Sequence, residues 1–485
     1  MIKLTFIGAG SIGFTRQLVR DILSVPEFQD AQIALTDISK PNLDLIAKLC
    51  SKDIRDNKVS AKLIVTTDRR RAVADADYVI NTVRIGGEKA YEKDIEIPLK
   101  YGIDQCVGDT LCAGGIMYGQ RNIPQLLAFC KDIREVAKPK VLFLNYANPN
   151  AMNTWAAIEY GKVNTIGLCH GVINGGLQIA EVLGVEAKDL DYICAGINHQ
   201  TWYLQLLHKG RRISAEELIA AFEKHPVHSK TEKVRIDVLK RFGYYSTESN
   251  GHLSEYVPWY RKRPKEIRQW IDMSEWIHGE TGGYLRYHRE RRDEFEQEFN
   301  KMLAAEMPPL GPKARGLEHG SYIIESLETG RRYRGHFNVR NQGIISNLPD
   351  DCIVEVPGYV DRNGVSIPRV GDLPLACAAT CLASINVQRM AVQAAVHGDI
   401  TLLKQAMLHD PLTAAVCNPP EIWQLTDEML VEQAEWLPQY KNEIPNAKKR
   451  LAQPSHLATK AWAGAARKKI GAKGSIAQRT KRLGP

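Results

Sequence analysis

Short apolar runs alternate with amphipathic stretches along the first third of the chain. The runs typical of buried strands cover residues 3–7, 31–36, 61–66, 78–83, 141–146 and 165–168. Between them, polar and apolar residues recur with helical spacing, as in 16–23, 41–50 and 70–74. Strands and helices that alternate in this way predict an α/β fold with a parallel, doubly wound sheet. The carboxyl ends of such strands share one edge of the sheet, where ligands bind.

A glycine-rich loop separates the first strand from the first helix. It consists of Gly8, Ala9, Gly10, Ser11, Ile12 and Gly13, and Asp37 ends the second strand. This context predicts a Rossmann-like dinucleotide site, with Gly8 for the tight turn, Gly10 for close approach to the pyrophosphate and Gly13 for close helix–strand packing. The helix N-terminus would face the phosphates. Asp37 would accept hydrogen bonds from the adenosine ribose and repel a 2′-phosphate, which favours NAD over NADP. A glycine-rich turn in some other α/β protein is the alternative.

The pattern changes after residue 195. Charged helical stretches appear at 215–224, 284–305 and 427–437, and strand candidates at 337–339 and 353–356. We therefore predict three parts of the chain. They are a NAD-binding, Rossmann-like domain similar to those of lactate and malate dehydrogenases over 1–195, a mixed α+β substrate and oligomerisation domain over 196–453, and a basic tail over 454–485.

The charge distribution narrows the choice of partners. The formal net charge is +8, from 64 Lys and Arg against 56 Asp and Glu. The surplus lies in residues 454–485, which carry eight basic residues and no acidic residue. We interpret this segment as a solvated, frayed tail on a neutral body. A nucleic-acid partner is therefore not expected.

The cysteines and the N-terminus bear on the compartment. Ten cysteines are scattered without a paired C-x-x-C set, and most have apolar neighbours. The apolar N-terminus lacks a basic leader and a cleavage site, and the chain has no run of 18 apolar residues. These features predict a cytoplasmic protein without a membrane partner.

Cys169 and His199 are the strongest candidates for metal ligands. Each follows an apolar strand-like run and lies close to glycine. Cys169 and Asn148 both follow strands that should end on the cofactor edge, so we predict a metal site beside the dinucleotide. Two protein ligands leave open positions for substrate oxygens and water, as a Lewis acid needs. A structural zinc would need four ligands, and a chance pairing of the two residues is the alternative.

Other polar residues are placed for chemistry. Asp109 lies in a glycine-rich loop, where an ordinary Asx turn is the alternative. Arg84 ends a buried strand on the ligand edge, where it is either a ligand contact or a surface arginine. The segment 242–252 is dense in polar and phenolic groups. Its side chains able to act as a general base are Tyr244, Tyr245, Glu248 and His252. Aromatic packing is the alternative for the tyrosines.

These motifs together resemble glycoside hydrolase family 4, the NAD- and manganese-dependent glycosidases. The resemblance covers residues 2–450 and rests on 8–11, Asn148-Pro149, 167–172 and 196–199. It is nearest to the melibiase-type α-galactosidase and α-glucosidase branch, through residues 145–149, 151–155 and 195–199.

The resemblance implies a hydrolysis that differs from the paired-carboxylate route. NAD takes hydride from C3 of the sugar, and Mn²⁺ polarises the oxygens on C2 and C3. A base removes the C2 proton, the glycosidic oxygen leaves, water adds, and hydride returns to C3. By position, Cys169 and His199 resemble the metal ligands and Asn148 a contact to substrate and metal. His170 stands where phosphosugar members carry an acidic residue that acts as the acid, which argues against a phosphorylated substrate. Tyr244 or Tyr245 is the expected base.

Two departures from the family pattern concern the sugar. Asn150 replaces methionine in Asn-Pro-Met, where it could bind a sugar hydroxyl or carboxylate. Gly171 replaces serine in Cys-His-Ser-Val, a form that resembles α-glucuronidases and some α-glucosidases.

We predict an enzyme acting on unphosphorylated α-glycosides, with α-galactosidase first and α-glucosidase or α-glucuronidase second. Arg84, Asn148 and Asn150 would bind substrate, and Asp109 would join the catalytic residues. The active form is expected to be a homodimer or homotetramer. A lactate/malate-type dehydrogenase is the competing enzyme class, and a non-catalytic NAD-binding regulator is a third class.

Overall fold

A computed structural model describes residues 1–11, 13–454 and 457–468. Its strands are β1 Lys3–Ile7, β2 Gln32–Thr36, β3 Lys62–Thr66, β4 Tyr78–Asn81, β5 Leu142–Asn145, β6 Thr165–Gly167, β7 Leu190–Ile197, β8 Gln200–His208, β9 Arg211–Arg212, β10 Tyr333–Arg340, β11 Ile353–Asp361 and β12 Gly364–Ser366.

The α-helices of these residues, short 3₁₀ turns aside, flank the sheet. They are α1 Phe14–Leu23, α2 Lys40–Asp56, α3 Arg69–Val73, α4 Gly87–Lys100, α5 Cys112–Val136, α6 Asn150–Glu159, α7 Gly171–Leu183, α8 Ala215–Lys224, α9 His228–Thr231, α10 Lys233–Phe242, α11 Asn250–Tyr256, α12 Ile267–Trp270, α13 Gly283–Ala304, α14 His319–Thr329, α15 Leu375–His397, α16 Ile400–His409, α17 Pro411–Val416, α18 Pro419–Glu432 and α19 Ile444–Leu451.

One sheet runs through both halves of the chain. Its order is β3-β2-β1-β4-β5-β6-β10-β11-β7-β8-β9, and β12 pairs with β11. The first six strands pair in parallel, in the order expected of a Rossmann-like fold. From β10 onward the pairing is antiparallel. The predicted α/β class, with a parallel sheet followed by a mixed region, is confirmed.

The two halves meet without a linker. The predicted domain boundary at 195/196 falls inside β7, which pairs with the antiparallel strands β8 and β11. The change of pairing lies at the contact of β6 with β10, where Gly167 is opposite Asn338. The antiparallel half therefore continues the sheet next to β6, and it places its loops beside the parallel edge.

Helix α15 lies in the interior and joins the two halves. It packs against α5, α6 and α16, and its buried side chains belong to the largest hydrophobic cluster. Helix α15 is long and apolar enough to cross a membrane, but this length and composition are also found in the core helices of soluble proteins.

The described part of the tail is packed against the body. Ala466 is fully buried and its backbone N–H donates to Thr281 Oγ1. The preceding Ala465 N–H donates to Asp104 Oδ2, and Arg467 pairs with Glu96 at 2.7 Å. The expectation of a solvated tail is therefore wrong for residues 465–467. Residues 469–485 lie outside the described residues.

Candidate active site at the carboxyl edge of the parallel strands

The glycine loop after β1 is held against the end of β2. Gly8 has φ +84°, and a Cβ there would lie 2.8 Å from Val83 Cγ2. The Gly10 N–H donates to Asp37 Oδ2 at 2.8 Å, and a Cβ on Gly10 would lie 2.9 Å from the same oxygen. Asp37 Oδ1 accepts from the Ser39 N–H at 2.8 Å. A side chain is thus excluded at Gly8 and at Gly10, where the backbone lies against Val83 and Asp37.

Gly13 serves a different purpose from the one predicted. A Cβ on Gly13 would meet nothing within 4 Å, so close helix–strand packing does not explain it. Its φ of +87° is the requirement, because only glycine adopts that conformation easily. No side chain of the described residues caps α1 at Gly13, so the first helical amides are free to bind phosphate. Ser11 lies in the same loop, and Ile12 lies outside the described residues.

Arg84 follows β4 and is held by aromatic side chains. Its guanidinium lies 4.3 Å from the ring centre of Tyr91 and 4.5 Å from that of Tyr118. Its Nη2 is 3.5 Å from Asp109 Oδ2. Its Nη1 is buried without a hydrogen-bond partner among the described residues. The geometry thus offers a fixed cation with an unused donor, as substrate binding needs.

Asp109 sets the protonation of the predicted metal ligand His199. Asp109 Oδ1 accepts from Thr110 Oγ1 at 2.9 Å, and the same hydroxyl lies 2.9 Å from His199 Nδ1. A hydroxyl has a single proton, and Thr110 donates its proton to Asp109. The Thr110 oxygen must therefore accept the hydrogen bond from the Nδ1–H group of His199. The lone pair of His199 therefore lies on Nε2, which leaves that nitrogen able to bind a metal.

The backbone reinforces this arrangement. Asn198 and His199 form the two-residue turn between β7 and β8, in which His199 has φ +64°. The ring stacks on Tyr256, whose hydroxyl is 3.5 Å from Nδ1. His199 is 4% exposed, so its orientation is fixed by burial as well.

Asp109 also orients Asn148. Asn148 Nδ2 donates to Asp109 Oδ2 at 2.9 Å, which directs the amide oxygen away from the carboxylate. Burial opposes ionisation of Asp109, but the positive charge of Arg84 and the hydrogen bond from Asn148 hold its pKa below the ordinary value. These contacts make Asp109 a positioning residue that arranges His199 and Asn148.

Cys169 follows β6 and faces His199 together with Glu248. We call these three residues the rim cluster, because their ligand atoms lie within 4.8 Å of one another at the carboxyl edge. Cys169 Sγ is 3.9 Å from Glu248 Oε2 and accepts from the Gly171 N–H at 3.4 Å. Burial and Glu248 raise the pKa of the Cys169 thiol. A divalent cation would offset that unfavourable charge, so thiolate, imidazole and carboxylate form a donor set that fits one.

His170 caps the start of α7 and projects toward solvent. Its side chain is half exposed, and its Nδ1 lies 3.5 Å from Glu318 Oε1. Partial desolvation opposes protonation, but the neighbouring carboxylate of Glu318 raises the pKa of His170 to about 9. A protonated imidazole at the mouth of the site is suited to giving a proton to a leaving group.

The predicted bases Tyr244 and Tyr245 lie in the core instead. The Tyr245 hydroxyl donates to Gln178 Oε1 at 2.8 Å, and its ring packs 4.6 Å from Phe222. Tyr244 is half-buried against the main hydrophobic cluster. Tyr245 as the base is wrong, because its hydroxyl is committed to a structural contact. The phenol that contacts His199 belongs to Tyr256, which was not predicted from the sequence.

Asn150 is structural rather than a sugar contact. Its Nδ2 donates to the backbone carbonyls of Asn145 and Leu168, at 3.1 and 3.0 Å, and its Oδ1 accepts from Thr154. Asn150 is 1% exposed. The prediction that it binds substrate is therefore wrong, since its amide ties the ends of β5 and β6 together.

Another group of potential ligands, separate from the group of Asp109, His199 and His252, lies near the C-terminal end of α7. This Glu181 cluster consists of Glu181, His225 and His228. His225 Nδ1 accepts from the backbone N–H of His228 at 3.1 Å, and Glu181 Oε1 is 3.8 Å from its Nε2. His228 Nδ1 faces the Gln178 amide, and its Nε2 lies 3.2 Å from Glu181 Oε2.

Sequence comparison relates the chain to the glycosyl hydrolases of family 4. Residues 3–185 match the Family 4 glycosyl hydrolase profile, and residues 194–413 match the Family 4 glycosyl hydrolase C-terminal domain. The chain is 62% identical to an alpha-galactosidase of Rhizobium meliloti (strain 1021), over 96% of this chain and 95% of the relative. It is 35% identical to an alpha-galactosidase of Bacillus subtilis (strain 168), over 91% and 100%.

A solved structure shares the fold over most of the chain. The crystal structure of a 6-phospho-alpha-glucosidase from gut microorganisms, in complex with NAD and glucose-6-phosphate, superposes with a TM-score of 0.75. It is 25% identical and covers 90% of this chain and 99% of its own. The predicted family and enzyme class are thereby confirmed, in preference to a dehydrogenase or a non-catalytic regulator. This chain belongs to family 4 of the glycosyl hydrolases.

Proposed function

We propose that the protein is an α-galactosidase that hydrolyses unphosphorylated α-galactosides. Its cofactors are NAD and a divalent cation, for which Mn²⁺ is our first choice. The observation that carries the chemistry is the donor pair Cys169 and His199 on the same strand edge as the glycine loop. The choice of sugar rests on the 62% identity to an alpha-galactosidase over nearly the whole chain.

Both groups match the residues present. When bound, NAD supplies a reversible hydride acceptor and the cation supplies Lewis acidity at sugar oxygens. The N-terminal amides of α1 would bind the pyrophosphate beside Gly8 and Gly10, and Asp37 would bind the ribose. Cys169 and the Nε2 of His199 would hold the cation.

The remaining side chains would orient the sugar and move protons. Arg84 offers its unused Nη1 donor, and Asn148 offers its amide oxygen. His170 is exposed and paired with Glu318, so it would give a proton to the leaving glycosidic oxygen. Tyr256 is our candidate for the base that removes the C2 proton, because its phenol ring stacks beside the imidazole of His199.

The test is an assay of the p-nitrophenyl α-galactoside, α-glucoside and α-glucuronide with NAD⁺, Mn²⁺ and a reductant. We expect the galactoside to be cleaved fastest, and cleavage to stop after chelation or removal of NAD⁺. Cleavage that survives both treatments would reject the mechanism. Preference for the glucoside or the glucuronide would reject the galactoside and keep the family chemistry.

Compartment and assembly belong to the same proposal. All ten cysteines are free, which suits a reducing cytoplasm. A homodimer or homotetramer remains our expectation, and light scattering of the purified protein would decide it.

A further inference from the structure

Glu248 brings a carboxylate to the predicted metal ligands. Its Oε2 is 3.9 Å from Cys169 Sγ, and the ligand atoms of Cys169, His199 and Glu248 all lie within 4.8 Å of one another. Bonds from a cation to nitrogen, oxygen and sulfur donors are about 2.0–2.3 Å long. One ion between the three side chains can therefore reach all of them with small movements.

Gly171 leaves the space that this carboxylate occupies. A Cβ on Gly171 would lie 1.8 Å from Glu248 Oε2 and 2.7 Å from Glu248 Cδ. The φ of Gly171 lies outside the left-handed region, so its backbone would tolerate another residue. A side chain at position 171 would therefore push the Glu248 carboxylate, the flexible end of that side chain, out of this position.

We infer that Glu248 is a third protein ligand of the cation held by Cys169 and His199, and that Gly171 is glycine in order to admit it. The inference rests on the proposed function, because it needs a cation at the rim cluster. A carboxylate oxygen also makes the set of donor atoms more suitable for Mn²⁺. Thiolate and imidazole alone favour softer ions such as Zn²⁺, whereas Mn²⁺ prefers oxygen donors.

The third ligand is compatible with catalysis. A thiolate and a carboxylate together balance the charge of a divalent cation. A six-coordinate ion with three protein ligands keeps three positions open, enough for two sugar oxygens and a water. Residue 171 then controls the metal site without touching the metal, since a serine there would displace Glu248.

The test measures Mn²⁺ affinity directly, by the electron paramagnetic resonance signal of free Mn²⁺ in titrations of the NAD-loaded full-length protein. We expect Glu248→Gln to weaken Mn²⁺ binding by at least ~10-fold, because even residues that only hydrogen-bond a metal ligand contribute that much to metal affinity. Gly171→Ala should weaken binding by a similar factor, and Glu248→Asp should recover part of the loss. Glu181→Gln is the matched control and should leave the affinity unchanged.

A double variant separates sterics from ligation. Glu248→Ala in the Gly171→Ala background should bind Mn²⁺ as weakly as Glu248→Ala alone, because position 171 acts only through the Glu248 carboxylate. If Glu248→Gln binds Mn²⁺ as tightly as the wild type, the inference is overturned, even where KM for the galactoside rises. If the wild type binds no Mn²⁺, or Cys169→Ser leaves its affinity unchanged, the proposed function fails instead.

Discussion

The rim cluster and the Glu181 cluster contain similar donor residues, yet the protonation of their imidazoles differs. The imidazole of the rim cluster has a lone pair on Nε2, whereas those of the Glu181 cluster have a proton there. In the rim cluster, Thr110 accepts from His199 Nδ1–H, so the lone pair of His199 lies on Nε2. In the Glu181 cluster, backbone N–H groups donate to His225 Nδ1. The proton of neutral His225 must then lie on Nε2, where it points at Glu181.

His228 repeats the arrangement of His225. Gln178 Oε1 accepts from Arg235 and Tyr245, so Gln178 must present its NH₂ group to His228 Nδ1. His228 Nε2 therefore carries the proton and donates to Glu181. Proximity of donors alone cannot distinguish a metal site from a hydrogen-bonded cluster, but the partner of the second ring nitrogen can.

The largest expected effect comes from removing the thiolate of the rim cluster. Cys169→Ser should lower Mn²⁺ affinity and kcat by at least ~100-fold, because the serine hydroxyl is not ionised at neutral pH. The loss of a metal ligand should cost more affinity than the loss of a residue that only hydrogen-bonds a ligand. NAD⁺ binding, followed by calorimetry, should stay unchanged. His228→Gln is the matched control from the Glu181 cluster and should keep both quantities near wild type. A Cys169→Ser enzyme with normal activity would remove Cys169 from the site.

A smaller effect should follow from reversing the hydrogen bonds behind His199. In Asp109→Asn, an amide N–H can donate to Thr110, whose own proton would then turn toward His199 Nδ1. The imidazole would have to place its proton on Nε2, so Mn²⁺ affinity should fall by ~10–100-fold. Thr110→Val should show a similar loss, and Thr110→Ser should retain the wild-type affinity. Full affinity in Thr110→Val would show that the hydroxyl does not set the tautomer.

The smallest effect concerns the pH dependence of stability in the Glu181 cluster. Burial and His228 lower the pKa of His225, although Glu181 opposes them. The unfolded chain, with a histidine pKa of about 6.5, then binds more protons than the folded chain, so the free energy of unfolding falls as the pH falls below that value. His225→Gln should flatten this dependence in urea titrations at pH 7.5 and 5.5. An unchanged slope would mean that His225 does not contribute.

The sequence predicted the parts of the site that a local pattern defines. The glycine loop, Asp37, Asn148, Cys169 and His199 each adjoin a strand end or a turn with a recognisable motif, and a strand's direction decides which edge it reaches. The strands β1–β6 follow the predicted apolar runs closely. The predicted reason for Gly13 was wrong, because a glycine needed for its φ and one needed for close packing look alike in sequence.

The remaining parts depend on contacts between distant segments. Tyr245 and Tyr256 have the same chemistry, and only the packing of Tyr245 on Phe222 shows which phenol is buried away from the site. The link between Thr110 and His199 spans 89 positions and has no local signal. Asn150 looked like a polar substitution in a motif, and its role appeared only with the two backbone carbonyls that it joins.

The most direct test of the central claim follows hydrogen at C2 of the sugar. An α-galactoside is hydrolysed in D₂O with NAD⁺ and Mn²⁺, and the galactose released is analysed by NMR. Removal of the C2 proton by a base that exchanges with solvent predicts deuterium at C2 of the product. Complete retention of the original hydrogen at C2 would contradict the account, because hydrolysis would then proceed without breaking that bond.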